Sequence, residues 1–190
     1  MSLIPEFELG LWNAWIFIIP IFIIPHLIIN KYKARGSAEE EKYYTKKEKR
    51  FSSILMVTIF ASVIYSVFLP LKLGTAWFYV GSPIYLLGMI FLTMATLNFA
   101  TSPLDKPVTK GVYRISRHPM YFGSFLIYIG TGIACTSWIF LLLAVIWIIV
   151  WHNIDSTEER WCLKKYGDAY REYMNRTPKW IGLPKSQKKD

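Results

Sequence analysis

Residues 111–123 read GVYRISRHPMYFG and bring Tyr113, Arg114, Arg117, His118 and Tyr121 to the edge of a run that carries no charge from Pro119 to Ile154. Asp155, Glu158 and Glu159 stand directly after that run. Opposed charges and an imidazole at a partly desolvated rim can hold a small charged ligand, and a carboxylate or imidazole there can move a proton. Each residue also has a plainer role. The arginines can snorkel as membrane anchors. His118-Pro119 can open a helix with proline at its first position. The glutamates suit a first helical turn, and Tyr113 and Tyr121 suit an interfacial aromatic belt. Their coincidence at one depth and on one side points to a polar pocket.

The elements that must position this cluster are long and apolar. Of 190 residues, 53% are hydrophobic and 17% aromatic, and mean hydropathy is positive. A spanning helix needs about 20 mostly apolar residues. Leu9–Ile29, Phe51–Leu71 and Ala76–Leu97 each qualify. Pro119–Ile154 is too long for one span and suits two of about 18 residues, turning at Ala134-Cys135-Thr136-Ser137. The expected fold is an all-α membrane protein of about five transmembrane helices, the last two a tight hairpin, followed by a cytosolic C-terminal helix. The hairpin brings Arg117 and His118 close to Glu158 and Glu159. The spans rich in Gly123, Ser124, Gly130 and Gly132 allow close helix approach or a shallow cleft for lateral access.

Charge sets the expected orientation. Of the 22 Lys and Arg residues, 21 fall on one side of a five-span arrangement, Lys72 being the exception. Basic excess marks the cytoplasmic side, which places the N-terminus outside and the C-terminus in the cytoplasm. The first ten residues hold Glu6 and Glu8 and no basic residue, unlike a cleavable signal. The net charge of +9 is then mostly membrane flank, attractive to anionic headgroups. It is dispersed over three flanks without a recognition motif, so no nucleic-acid partner is expected.

We read residues 1–190 as one membrane domain without repeats: three spans over 9–97, then motif, hairpin and C-terminal helix over 98–175. The loop Asn30–Arg50 reads as a solvated, headgroup-facing connector, and KSQKKD as a frayed tail. Trp161, Tyr166, Ala169, Tyr170, Tyr173 and Met174 form an apolar stripe on a helix over Asp155–Met174, for which Asp155, Ser156 and Thr157 are good start residues; the sequence leaves open whether this helix is separate from the fifth span or continues it. Cys135 and Cys162 fall on opposite membrane faces, which argues against a disulfide. His26, His118 and His152 lack ligand spacing, so no metal is expected.

The motif G-x-Y-x-x-x-R-H-P-x-Y, an apolar hairpin, paired glutamates and G-x-x-Y-x-x-Y occur in that order between Val108 and Tyr173. This combination resembles the isoprenylcysteine carboxyl methyltransferase family and the related phospholipid N-methyltransferases. The resemblance implies an integral membrane enzyme that uses S-adenosyl-L-methionine in a pocket on the cytosolic face, closed by the C-terminal segment. It implies a lipophilic acceptor arriving through the bilayer. Tyr113, His118, Pro119, Met120 and Tyr121 match the family's cofactor-binding stretch, with Val108 as a backbone contact and Glu158 as the cofactor-binding glutamate. Arg117 and Glu159 are the expected catalytic pair. Arg117 or Arg114 would meet the methionyl carboxylate, and Glu159 or His118 would serve as base for an amine or thiol.

Animal isoprenylcysteine enzymes carry a substrate-linked arginine shortly before the glutamates, where this chain has Ile154. The acceptor class therefore stays open between carboxylate, amine and thiol. Two alternatives stand beside this reading. A sterol-reductase-like NADPH enzyme shares an R-H-P-x-Y element but usually has Asn after the proline and an acid after the next glycine, where this chain has Met120 and Ser124. A non-enzymatic membrane scaffold is the other. The sequence leaves the oligomeric state open.

Overall fold

The computed structural model describes residues 7–32 and 44–183. They form six α-helices: α1 (Trp15–Tyr32), α2 (Lys46–Val67), α3 (Ala76–Ala100), α4 (Pro119–Ala134), α5 (Trp138–Tyr166) and α6 (Asp168–Arg176). No named strand occurs among the described residues, and the fold is all-α as expected. Helices α1, α2, α3 and α5 are long and apolar enough to cross a membrane, while α4 is an apolar helix of 16 residues. Large apolar side chains such as Phe60, Leu86, Ile90 and Leu142 point outward rather than into a core. An apolar exterior on a helical bundle is the surface a bilayer requires.

The two ends of the bundle are distinct. At one end, the segment before α1 meets the α2–α3 connection: Asn13 bridges Pro70, and the Ala14 amide donates to the Leu69 carbonyl at 2.8 Å. The α4–α5 turn reaches the same level, because the Lys72 amide donates to the Ala134 carbonyl at 3.1 Å. That turn is Cys135-Thr136-Ser137, with Thr136 at φ 52° and Ser137 capping α5 through the Phe140 amide. The hairpin turn therefore lies where the small polar patch placed it. At the other end stand the start of α2, the end of α3, the start of α4 and the far end of α5. Short α4 thus runs the depth of the bundle beside α3, which keeps the five-helix alternation.

Helices α3 and α4 pack backbone to backbone. A Cβ at Gly130 would come within 2.4 Å of the Tyr85 nitrogen, and one at Gly81 within 2.4 Å of the Ala134 nitrogen. At Gly88 and Gly123 the corresponding nearest approach to the opposite helix is 2.8 Å. Small residues are what permit such approach in a membrane. Of the two possibilities for these glycines, close approach is the one realised. They hold a seam shut and form no cleft.

Two expectations are corrected. The first concerns element limits: α1 starts at Trp15 rather than Leu9, α2 starts in the basic stretch at Lys46, and α3 ends at Ala100. Thr45 opens α2 with a reciprocal capping box to Glu48, so the last residues of the first loop are helical. The second concerns the C-terminal helix. Asp155, Ser156 and Thr157 do not start it; they lie inside α5, which continues unbroken for 29 residues. At 1.5 Å per residue α5 is about 44 Å long, beyond the roughly 30 Å hydrocarbon core. Its last turns, with both glutamates, emerge past the apolar section. The break comes at Gly167, whose φ of 55° and ψ of −128° favour a residue without Cβ. The tail from residue 184 and most of the first loop lie outside the described residues.

Candidate functional site

Three pieces of chain meet at the far end of α5. The extended stretch 106–110 leads into a 3₁₀ turn at Gly111–Arg114, which carries Val112 and Tyr113 inward. His118 is the N-cap residue of α4, and Pro119 occupies its first turn, as expected from a missing N–H at an unpaired position. Beyond α6, the segment 177–182 folds back over this corner. The Arg117 amide donates to the Pro178 carbonyl at 3.0 Å, and the Gly182 amide donates to the Ile115 carbonyl at 2.9 Å. Lys179 Nζ lies 2.9 Å from Oδ1 of Asp155, whose side chain is fully buried.

The opposed charges interlock. Arg117 Nη2 is 3.1 Å from Glu159 Oε1. His118 sits between the glutamates, Nε2 3.3 Å from Glu159 and Nδ1 3.2 Å from Glu158. The Nδ1 contact is close in distance but not aligned as a hydrogen bond. The Tyr121 hydroxyl donates to Glu158 at 2.8 Å. The His118 ring stacks on Tyr121, which in turn stacks on Trp151 with centroids 3.7 Å apart. Burial disfavours the charged imidazole, yet the two carboxylates outweigh it and raise the His118 pKa to about 9. His118 is therefore an imidazolium at neutral pH, with both nitrogens turned to carboxylates. It is not a free base.

A cavity adjoins this cluster. Val108, Tyr113, Arg117 and Glu158 line one side; Phe99, Trp161, Cys162, Tyr166, Tyr170 and Tyr173 supply the rest with Pro107. Its free volume is about 40 Å³. Tyr173, buried, donates to the Tyr113 carbonyl at 2.7 Å and ties α6 to the 3₁₀ turn. Burial holds the Tyr170 and Tyr173 phenols well above their ordinary range, so both remain donors. Arg117 carries a further polar feature: its Nε is buried without a hydrogen-bond partner.

The sequence-derived residues thus separate into two groups. Val108, Tyr113, Arg117 and Glu158 line the cavity. His118, Tyr121 and Glu159 stand behind it and hold its charged side in place, while Pro119 is buried in the first turn of α4 and Met120 packs against both apolar clusters. Arg114 is not with them. It is exposed and lines a separate groove beside Thr109, Arg176 and Thr177, so Arg117 alone is placed to meet an anion in the cavity. Ile154 is buried in the apolar core, and no arginine substitutes for it there.

The sequence reading did not assign the aromatic wall to the site. Its signal was the Trp161–Tyr166–Tyr170–Tyr173 spacing, which reads equally as helix packing. Glu48 was also missed. It lies in α2, nearly buried, and accepts from Arg160 Nη2 at 2.8 and 2.9 Å and from the Ser156 hydroxyl at 3.2 Å. This ion pair clamps α5 next to the two glutamates.

The phospholipid methyltransferase family profile matches residues 69–169, from just after α2 through the start of α6. Protein-S-isoprenylcysteine O-methyltransferase of Schizosaccharomyces pombe is 35% identical over 78 residues, which is 40% of this chain and 33% of that relative. The chain thus matches about a third of the relative's length. No solved structure matches. The profile covers more than half of the sequence, including both glutamates and the R-H-P-x-Y element, and this sets the reductase and scaffold readings aside: the chain belongs to the phospholipid methyltransferase family.

Proposed function

We propose that this chain is a multi-pass membrane methyltransferase that binds S-adenosyl-L-methionine in the cavity bounded by Arg117, Glu158 and the α6 aromatics. The observation that carries the reading is the buried, unpartnered Nε of cavity-lining Arg117. An orphaned guanidinium donor is costly unless a ligand satisfies it. The residues present fit the cofactor. Arg117 would take the carboxylate, Glu158 the ammonium or a ribose hydroxyl, and the aromatic faces the adenine or the cationic sulfur. When bound, the cofactor supplies an electrophilic methyl group on a sulfonium.

The protein's share is positioning and exclusion of water, an effect worth about 7–11 kcal/mol when alignment is good. His118 and Tyr121 fix Glu158 from behind, and Arg117 is braced by Glu159. A cofactor-sized ligand needs roughly 300 Å³ or more. Binding therefore requires this cavity to widen, and the Tyr173–Tyr113 contact is the tie that holds its α6 wall in the present structure. The acceptor is a lipophilic or small molecule whose carboxylate, amine or thiol reaches the rim. A carboxylate needs no base. For an amine or thiol, Glu159 is the candidate base through its second oxygen, Oε1 being held by Arg117 and His118, while the protonated His118 has no lone pair to offer.

Calorimetric titration with S-adenosylhomocysteine tests the site. Glu158→Ala and Arg117→Gln should each weaken binding about tenfold to a hundredfold, the cost of one charge-assisted hydrogen bond. Wild-type affinity in both variants would remove the cofactor from this cavity.

A further inference from the structure

We propose a second ligand site, a groove that binds the phosphate of an anionic headgroup. It lies on the outer side of the 106–110 stretch, between that stretch and α6. Val108 faces the cofactor cavity, whereas Thr109 lines this groove. Two adjoining hollows form it, about 400 and 320 Å³, and they share Thr109 and Arg176. That is room for a headgroup rather than a bare ion.

The lining is strongly cationic. Lys106, Lys110 and Arg176 border the larger hollow, and Arg114 and Arg176 the smaller. Glu172 is the one carboxylate among the described lining residues, and its contact with Arg176 is long, at 3.7 Å. Arg114 is exposed, and no carboxylate lines its hollow among the described residues. Lys110 Nζ is held by the Thr101 carbonyl and hydroxyl at 3.0 and 2.8 Å, which leaves one of its three donors for a ligand. Two guanidinium forks, ammonium groups and the Thr109 hydroxyl match the several acceptor oxygens of a phosphate better than the two of a carboxylate. The groove sits where α3 ends and α4 begins, the level of a bilayer's headgroups. Its walls come from two elements, so a phosphate there bridges Arg176 on α6 to the 106–114 stretch. None of its charged residues lines the cofactor cavity, and the inference stands apart from the methyl-transfer reading.

The test is lipid retention on the purified protein in non-ionic detergent, read by native mass spectrometry. Phosphatidylglycerol should be retained at least tenfold more than phosphatidylcholine. Arg114→Gln combined with Arg176→Gln should abolish that preference, and Glu172→Gln should raise it severalfold. S-adenosylhomocysteine binding, measured on the same variants, should persist, which separates this site from the cofactor cavity and reports folding. Glycerol 3-phosphate forms the second arm. Binding of that ester with the same arginine dependence, without phosphatidylglycerol preference, keeps the phosphate site and assigns it to a soluble ester. Equal retention of both lipids with no binding of glycerol 3-phosphate overturns the proposal. So does a phosphatidylglycerol preference unchanged by the double substitution and by Glu172→Gln.

Discussion

At the scale of residues, the centre of the site is one imidazole held between two carboxylates. His118 is raised to about 9 in the fold against an ordinary value of about 6.5. A group whose pKa is raised on folding stabilises the fold below its unfolded value and loses that contribution as pH climbs through the folded one. Wild-type thermal stability in detergent should therefore decline between about pH 6.5 and 9 from this group. His118→Gln should lower stability at pH 6 and flatten the decline, which thermal unfolding across that range would measure. An identical pH slope in the variant would show that His118 is not the titrating group. The His118-Pro119 pair was legible as a helix start and as part of a binding motif. That both nitrogens would face glutamates was not legible, because the partners lie 40 and 41 residues away.

At the scale of elements, the α3–α4 seam and the long reach of α5 create the site. The seam depends on glycine because the facing atoms are backbone and cannot rotate away. Gly130→Ala would set a methyl group 2.4 Å from the Tyr85 nitrogen and 2.7 Å from the Gly81 carbonyl oxygen. Overpacking of this kind costs about 1–3 kcal/mol or more. The variant should unfold several degrees earlier in detergent, whereas Leu86→Ala, on the exposed face of α3, should change little. The sequence showed these glycines as small residues in a span. Packing against a partner helix decided that they close a seam instead of opening a path. Likewise, polar residues at 155–157 resembled a helix start in isolation. Inside the fold, Asp155 finds Lys179, and α5 runs on as far as Gly167.

At the scale of the whole molecule, the segment before α1 and the segment after α6 lie at opposite ends of the bundle. Single cysteines at Leu9 and Leu183, in a background without Cys135 and Cys162, should therefore label from opposite membrane faces, position 183 from the cytoplasmic one. Labelling of both from one face would break the five-helix alternation. The sequence alone determined the helical class, the number of apolar segments, the hairpin turn and the two charged clusters, because bilayer thickness and helical rise convert hydropathy directly into length. It also carried the ordered motif that marks the family. The tertiary structure decided which charges meet. Arg117 faces the cavity and Arg114 the outer groove, three residues apart on a chain that leaves its 3₁₀ turn at Arg114. Glu48 reaches Arg160 across 112 residues to fix α5. Charge pairing depends on distances of a few ångströms between elements remote in sequence, and local propensity carries no record of those distances.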